Sequence, residues 1–386
     1  MIDLTLPAFR PHPLLRGGHV QTIAGAFLPG YRSRYRARQH QVPLPDGDRL
    51  VLHDDTPAGW RPEGGVCVLV HGLGGCHSSP YLGRISDRLN ARGVRAFRLD
   101  LRGCGAGQHT ARHHAHAGRS EDLAAAVGYV LHQCATSPVV VGGFSMGANI
   151  ALKMLGEFGA AAPDRLVGAV TLAPPIDLVY CAKNIRRGAN RLYDRSFVTH
   201  LEQIVRNRRK SVADLVDIPL RRLPPRLREF DERFTSRVIG FEGAMEYYAY
   251  ASSGPYLAEI AVPTLVLTAA DDPLIPVEMF DAYPRSEFVR LHVTPQGGHM
   301  GYVAVAGIDP DRRWMDWRVV DAVTMLCGRG AARLRTDEPH GPAESNGPAD
   351  SNGRHPMAES NGRHPTVATG HRAVGKVPLA GEAPAA

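Results

Sequence analysis

The chain has 386 residues, of which 44% are hydrophobic and 22% charged, and its formal net charge is +7. This length allows one large domain or two ordinary ones, and the composition is typical of a soluble globular protein. No apolar run approaches the ~18 residues that cross a bilayer, and the N-terminus lacks the pattern of a secretory signal. The six cysteines form no C-x-x-C pair. We therefore expect a cytoplasmic protein with reduced thiols, without a disulfide framework or a zinc site.

The positive charge is concentrated in one segment. Residues 181–245 contain 15 Lys and Arg against 8 Asp and Glu, so this segment alone carries a net charge of +7. Such a segment would suit an anionic surface such as lipid head groups, but a solvated helical insertion is the simpler interpretation. No basic motif with interleaved aromatic residues is present, so we expect no nucleic-acid partner.

Strands and helices are predicted to alternate along most of the chain. Residues 41–53 have the pattern of a hairpin around the turn dipeptide Asp46-Gly47. Strands are then predicted at 66–70, 94–101, 138–142, 166–172, 264–268 and 288–293. Helices are predicted at 80–93, 121–133, 146–158, 277–282 and 314–326. This alternation indicates an α/β fold, with a mostly parallel central sheet and helices on both of its faces.

Two segments depart from the alternation. Residues 177–250 are mostly helical and rich in arginine, and we expect them to form a cap over the carboxyl edge of the sheet, where such folds bind ligands. In this cap, one helix face is predicted from the spacing of Phe197, Leu201, Ile204 and Val205. Residues 331–386 repeat Ser-Asn-Gly-Arg-His-Pro and lack apolar periodicity. The prediction is one domain over 1–330 and a disordered tail over 331–386.

The strongest chemical signal is the motif Gly143-Phe144-Ser145-Met146-Gly147. It follows an apolar run and opens a predicted helix. A serine on such a sharp strand-to-helix turn projects its hydroxyl away from the sheet, and glycines on both sides let the backbone turn that tightly. The motif alone is a weak pattern, and the strand and helix around it make it informative.

A serine hydroxyl needs a base, and in folds of this kind the acid and the histidine follow the serine in chain order. His299 lies in a Gly-Gly-His-Met-Gly loop after the strand predicted at 288–293. Asp271 and Asp272 follow the strand predicted at 264–268 and compete for the role of the acid. We prefer Asp272, and we expect Asp271 to be a surface or loop-capping residue.

The oxyanion of a tetrahedral intermediate needs fixed N–H donors. The loop His71-Gly72-Leu73-Gly74-Gly75 follows the strand predicted at 66–70. We assign the backbone N–H groups of Leu73 and Met146 as these donors, and we expect His71 to be structural.

Histidines also cluster before Gly118, but without the spacing of a ligand set. No glycine-rich nucleotide motif is present either. We therefore predict neither a metal nor another cofactor. The clustered histidines are His109, His113, His114 and His116.

Together with the serine motif, several short motifs over about residues 10–327 make the chain resemble the YheT-like α/β hydrolases, which are related to eukaryotic members acting on phospholipids and fatty acyl esters. The motifs are Gly18-His19-Val20-Gln21-Thr22, Arg102-Gly103-Cys104-Gly105, His116-Ala117-Gly118, Phe230-Asp231-Glu232-Arg233-Phe234-Thr235, Asp271-Asp272-Pro273 and Gly297-Gly298-His299. The resemblance implies a catalytic triad of Ser145, Asp272 and His299, and carboxylic ester hydrolysis with possible acyl transfer to alcohols. After His299 this chain has Met300-Gly301-Tyr302, where the family commonly has Val-Gly-Phe.

The sequence thus predicts a serine esterase of lipid metabolism, acting on short- to medium-chain acyl esters as small molecules or lipids. Two alternatives stay open: an alcohol acyltransferase on the same triad, and a non-catalytic ligand-binding protein on a hydrolase scaffold. The basic segment adds the expectation of peripheral contact with an anionic membrane surface.

Overall fold

A computed structural model describes residues 4–28, 34–208 and 226–336. Within these residues eight strands form one sheet in the order β1-β2-β4-β3-β5-β6-β7-β8. The pairs β1·β2 and β2·β4 are antiparallel, and all pairs from β4 to β8 are parallel. The strands are β1 Arg38–Pro43, β2 Arg49–Asp55, β3 Val66–Val70, β4 Arg95–Asp100, β5 Val139–Phe144, β6 Leu166–Leu172, β7 Thr264–Ala269 and β8 Val289–Thr294. The predicted α/β class with a mostly parallel sheet is confirmed.

The helices lie on both faces of this sheet and in one insertion. They are α1 Gly18–Phe27, α2 Pro80–Ala91, α3 Ser120–Gln133, α4 Met146–Phe158, α5 Leu178–Asn184, α6 Arg191–Arg208, α7 Leu227–Phe230, α8 Ser236–Val238, α9 Ala244–Ala251 and α10 Trp314–Thr336. The predicted helix at 277–282 is a 3₁₀ helix, Val277–Ala282. The first helix was not predicted from the sequence.

Alternation along the central strands divides the core into two layers. Val66, Val68 and Val70 of β3 pack in the layer that contains apolar residues of α3 and α4. Cys67 and Leu69, between them, pack in the layer that contains apolar residues of α2 and α10. Successive strand side chains point to opposite faces, so a strand that is apolar throughout must be covered on both sides.

The last helix extends past the predicted domain boundary. It ends at Thr336, so residues 331–336 belong to the helix and not to a tail. Gly330 has a packing role in this helix: a Cβ there would lie 2.5 Å from the Val167 side chain on β6. The rest of the predicted tail, 337–386, lies outside the described residues.

The predicted cap is the insertion between β6 and β7 and contains α5 to α9. On α6, Val198 and Val205 pack with Phe230 and Phe234 in a small apolar cluster. One residue that we expected on the basic surface of this cap is buried. Arg208 is 0% exposed and donates to the carbonyl oxygens of residues 111 and 113 at 2.6 and 2.8 Å. The neighbouring basic residues 209 and 210 lie outside the described residues.

Among the helices of the described segments, none combines the length and the apolar character that crossing a membrane requires.

Candidate active site

The motif around Ser145 forms a tight turn between β5 and α4. Ser145 itself has φ 51° and ψ −118°, a conformation that non-glycine residues rarely adopt. The flanking glycines are needed for close approach: a Cβ on Gly147 would lie 2.5 Å from the His71 carbonyl oxygen, and one on Gly143 would lie 2.7 Å from Ala148 Cα. The turn therefore holds the serine hydroxyl beyond the carboxyl end of the sheet, as the motif predicts.

The three residues predicted as a triad lie in one hydrogen-bonded chain. Ser145 Oγ lies 3.1 Å from His299 Nε2, and His299 Nδ1 lies 2.9 Å from Asp272 Oδ2. The other carboxylate oxygen of Asp272 accepts the N–H groups of Leu274 and Ile275 at 2.8 and 3.0 Å. Because an ionised carboxylate can only accept, Nδ1 carries the imidazole proton and Nε2 is free to accept from the serine.

The competing aspartate has a different position. Asp271 Oδ1 accepts the N–H of Gly298 at 2.8 Å, the residue before His299 in the chain. Asp271 thus stabilises the loop that carries His299, which agrees with the expected loop-capping role. Asp272, in contrast, contacts the imidazole.

Helix α1 supports the same loop from the other side. Thr22 Oγ1 accepts the backbone N–H of His299 at 2.8 Å and donates to the Gly18 carbonyl at 2.7 Å. Gln21, which is fully buried, accepts from the N–H of Val303 at 2.7 Å and donates to its carbonyl at 3.2 Å. Sequence reasoning used this segment only as a family marker. The signal available in the sequence was the amide of Gln21 and the hydroxyl of Thr22, close to Gly18.

The loop after β3 lies directly against the nucleophile. A Cβ on Gly72 would lie 3.1 Å from Ser145 Cβ, so any side chain there would crowd the nucleophile, and glycine gives the loop room to approach it closely. His71 holds the loop in place through its ring: Nδ1 lies 2.8 Å from the Gly72 carbonyl, and Nε2 accepts the N–H of Leu101 at 3.3 Å. Burial lowers the pKa of His71, which keeps this ring neutral and structural.

Both predicted oxyanion donors belong to residues beside Ser145. Leu73 and Met146 line one cavity with the serine and His299. Met146 is the first residue of α4, where a backbone N–H has no acceptor within the helix. A positively polarised helix start and a glycine-rich loop thus face the hydroxyl together.

The cavity at the nucleophile has a volume of about 140 Å³ and is mostly apolar. The cap contributes Phe197 and Leu201 of the predicted α6 face to its wall, whereas Leu192 is 74% exposed. The remaining apolar lining comes from both the cap and the sheet domain: Leu73, Ala115, Ala117, Met146, Pro175, Leu178, Cys181, Ala182, Ile185, Leu227, Leu274 and Ile275. Five polar residues also line it: His116, Asp231, Thr235, Tyr247 and Tyr248.

The clustered histidines do not converge on a common point. His114 Nδ1 accepts from the Arg208 guanidinium at 2.6 Å, and His116 Nδ1 accepts from the N–H of Gly118 at 3.2 Å. Burial, together with Arg208, lowers the pKa of His114 to about 3, and burial lowers the pKa of His116 well below its usual value. Both rings are therefore neutral members of the packed structure.

Among the described residues, one other group has the composition of a metal site: His53, His77 and Asp100. Asp100 Oδ2 accepts from both rings at 2.9 and 2.8 Å, and from the N–H of Ala106 at 2.8 Å. The two imidazoles are stacked, with centroids 3.6 Å apart. We interpret this group as a hydrogen-bonded network around a buried carboxylate.

The fold and the site define a protein of the α/β hydrolase family. The chain belongs to this family, because the family model described as alpha/beta hydrolase fold matches residues 66–304. Within it, the chain is a YheT-like protein, which confirms the resemblance seen in its motifs. It is 28% identical to YheT of Escherichia coli (strain K12) over 74% of this chain and 84% of that protein. It is 29% identical to phospholipase ABHD3 of Homo sapiens over 74% of this chain and 71% of that protein.

A solved structure agrees on the fold. The esterase Pf2001 of Pyrococcus furiosus superposes with a TM-score of 0.50 at 15% identity, covering 84% of this chain and 100% of that one. At this identity the likeness concerns the fold alone.

Proposed function

We propose that this chain is a serine esterase that hydrolyses short- to medium-chain acyl esters, with Ser145 as nucleophile, His299 as base and Asp272 as the acid that orients it. At the level of its family it is a carboxylic ester hydrolase, since curated relatives include a phospholipase and a monoacylglycerol lipase. The observation that most supports the finer proposal is the unbroken hydrogen-bonded chain from Ser145 through His299 to Asp272, beside an apolar cavity.

The reaction follows from this geometry. Ser145 Oγ attacks the ester carbonyl carbon while His299 Nε2 takes the hydroxyl proton, and Asp272 stabilises the imidazolium. The carbonyl oxygen, now an oxyanion, accepts hydrogen bonds from the N–H groups of Leu73 and Met146. The imidazolium then protonates the leaving alcohol, and the acyl group remains on Ser145. Water, deprotonated by His299, releases the acid and restores the serine.

The proposed acyl length rests on the cavity. Its apolar wall suits an alkyl chain, because each buried CH₂ contributes about 0.8 kcal/mol to binding. Polar side chains of the cap, Asp231 and Tyr248, close part of the wall, and an alkyl chain that reaches them would lie against polar atoms to which it can form no hydrogen bond. This limit favours short and medium chains over long ones.

The test combines a covalent probe with a panel of esters. A fluorophosphonate should label the wild-type protein and the Ser78→Ala control but not Ser145→Ala. Ser78 is a suitable control because it is an exposed serine, hydrogen-bonded to Cys76. Turnover of p-nitrophenyl esters of increasing acyl length should peak at short or medium chains. Labelling of Ser145→Ala, or a preference that keeps rising with chain length, would contradict the proposal.

Acyl transfer to an alcohol uses the same acyl-enzyme, with the alcohol in place of water. Adding a primary alcohol to the assay and measuring both ester and acid products separates the two reactions. Because the site is half-buried and open to solvent, we expect acid to remain the main product.

We further propose peripheral contact with an anionic lipid surface, which would present lipid esters to the site, and a cytoplasmic location, supported by six free cysteines. The outer face of α1 carries Val20, Ile23 and Phe27 at helical spacing, and they are 43%, 51% and 81% exposed. The same helix contacts the His299 loop, so this apolar face lies beside the site.

The charges next to this apolar face also support contact with an anionic lipid surface. Tyr193 of α6 stacks on His19 of α1, with centroids 5.7 Å apart, so the basic cap adjoins the apolar face. Arg187 and Arg191 are exposed at the start of this part of the cap. An apolar face flanked by cations is the pattern of an interfacial helix.

Binding to vesicles tests this contact. Ile23→Ser combined with Phe27→Ser should weaken binding to anionic vesicles by about a hundredfold or more, because each lost side chain removes about 1.5–3 kcal/mol of burial. Val293→Ser, which changes an exposed residue on β8, serves as the control. Binding that is indifferent to the double variant and to salt would mean that both features are only solvated surface.

A further inference from the structure

One wall of the catalytic cavity carries a buried carboxylate that the proposed reaction does not use. Asp231 is 7% exposed and lines the cavity that contains Ser145. Its Oδ1 accepts from the Thr235 hydroxyl and its Oδ2 from the Tyr248 hydroxyl, both at 2.7 Å. Asp231–Thr235 forms a single π-helical turn, a rare geometry that is frequent at functional sites.

In the segments that the structure describes, the charge of this carboxylate has no partner of opposite sign. In the described part of the chain, no lysine, arginine or histidine forms an ion pair with Asp231. The nearby His116 is neutral, because burial lowers its pKa, and Asp194 is a second buried carboxyl that adds like charge. Burial raises the pKa of Asp231 to about 6. A buried carboxylate held by only two hydroxyls retains capacity for a further donor.

Two donors that line the same cavity also lack an acceptor within the described part of the chain. Tyr247 Oη accepts the N–H of Ala117 at 3.0 Å, and its own hydroxyl hydrogen has no acceptor among the described residues. His116 Nδ1 accepts from Gly118, so the neutral ring carries its hydrogen on Nε2. Both residues line the cavity. The wall therefore offers one acceptor and two donors in a mostly apolar cavity.

We propose that this wall is a hydroxyl-binding subsite: the ester substrate carries a free hydroxyl group, which donates to Asp231 and accepts from Tyr247 or His116. The inference rests on the proposed esterase function and adds a substrate class to it. A hydroxyl fits because it both donates and accepts, whereas an ammonium group has donors only and would leave the Tyr247 and His116 donors unsatisfied.

The alternative is a purely structural role, in which Asp231 only stabilises the cap through its hydrogen bonds with Thr235 and Tyr248. Such a structural role predicts equal effects of substitution on hydroxylated and plain esters. A subsite predicts a change in the ratio between them. Selectivity, measured as a ratio of kcat/KM values, therefore separates the two, and total activity does not.

The experiment compares matched pairs of esters with the full chain. On the acyl side, p-nitrophenyl esters of ω-hydroxy acids are compared with those of the plain acids over a range of chain lengths, and ω-amino acids form a third arm. On the alcohol side, hydroxyethyl esters are compared with ethyl esters by acid release. Wild-type protein, Asp231→Asn and the control Asp194→Asn are assayed. Asp194 is 2% exposed, lies in the same cap and accepts from the N–H of Leu227 without lining the cavity.

We expect the wild type to prefer the hydroxylated ester at one chain length, on the acyl or the alcohol side, by about tenfold to a hundredfold, the value of a hydrogen bond to a charged group. Asp231→Asn should lose most of this preference, and Asp194→Asn should keep it. A wild-type ratio near one in every pair overturns the subsite, as does an unchanged ratio in Asp231→Asn. A larger preference for the amino arm overturns the assignment to a hydroxyl.

A separate measurement keeps the subsite distinct from the esterase proposal. Free ω-hydroxy acids should raise the melting temperature of Ser145→Ala more than plain acids of the same length do, and Asp231→Asn combined with Ser145→Ala should remove this difference. For the alcohol side, the shift caused by ethylene glycol is compared with that caused by ethanol in the same variants. If no ester is turned over, the esterase proposal fails, while these shifts still decide the subsite: equal shifts in both comparisons overturn it.

Discussion

Replacing Asp272 with asparagine should abolish most activity because the structure dictates how the new amide must lie. Asp272 Oδ1 accepts two backbone N–H groups, from Leu274 and Ile275, at 2.8 and 3.0 Å. In Asp272→Asn the amide oxygen must take this position, since an NH₂ group there would face two donors. The NH₂ group is then directed at His299 Nδ1, which lies 2.9 Å from the other carboxylate oxygen.

An amide donor in that position reverses the tautomer of the imidazole. Nδ1 must become the acceptor, so the proton moves to Nε2, and Nε2 can no longer accept the proton of Ser145. A wrong tautomer of this kind lowers kcat by about 10⁴-fold, or about 5.4 kcal/mol of transition-state stabilisation. The overall fold should be unchanged, because the two backbone hydrogen bonds remain.

Asp271→Asn is the matched control. Its amide oxygen can still accept the N–H of Gly298, which lies 2.8 Å from the present carboxylate, so we expect a loss of about tenfold or less. The assay is kcat on the best p-nitrophenyl ester, with circular dichroism to confirm folding. Greater damage from Asp271→Asn, or a loss below about a hundredfold in Asp272→Asn, would refute the reasoning, because neither is compatible with a tautomer block.

Three further predictions concern residues around the site and in the cap. Thr22→Val leaves the N–H of His299 without its acceptor, so kcat should fall about tenfold with little change in KM, and Thr22→Ser should restore it. The pKa of Asp231 is raised to about 6, so the folded state loses up to about 3 kcal/mol of stability as pH rises from ~4 to ~6, a dependence that urea titrations should find absent in Asp231→Asn. Arg208→Met should destabilise the fold by about 3 kcal/mol in urea without affecting vesicle binding, because it leaves buried carbonyl groups unpaired.

Each of these has a clear contrary result. Equal losses in the serine and valine variants at residue 22 would mean that packing, and not the hydroxyl, positions His299. A wild-type stability that rises across the same pH window relative to Asp231→Asn would reverse the sign, because it would require a carboxyl that is easier to ionise when folded. Vesicle binding that weakens in Arg208→Met would return this side chain to the surface.

The sequence by itself determined those features that depend on short stretches of chain. A buried strand, a glycine-flanked Ser145 and a following helix specify the turn locally, because each glycine contact there involves residues close in the chain or on the adjacent β3 loop. The order of Ser145, Asp272 and His299, each after its own strand, follows from the rule that the carboxyl ends of parallel strands share one edge. The sheet class, the helices α2, α3, α4 and α10 that cover the sheet, and the cap insertion were predicted from periodicity in the same way.

Only the tertiary structure decided which residues complete the site. Thr22 contacts His299, which lies more than two hundred positions further along the chain, and Asp271 contacts Gly298, about thirty positions away. No local sequence pattern encodes such pairs. In the sequence, Arg208 is one of many cations in a basic segment. In the structure, it is enclosed by the loop at 111–114. Asp231 stood in a motif without a role until the cap placed it in the cavity wall. The physical reason is common to all of them: polar side chains take their role from the partners that burial leaves them, and burial is set by the packing of distant elements.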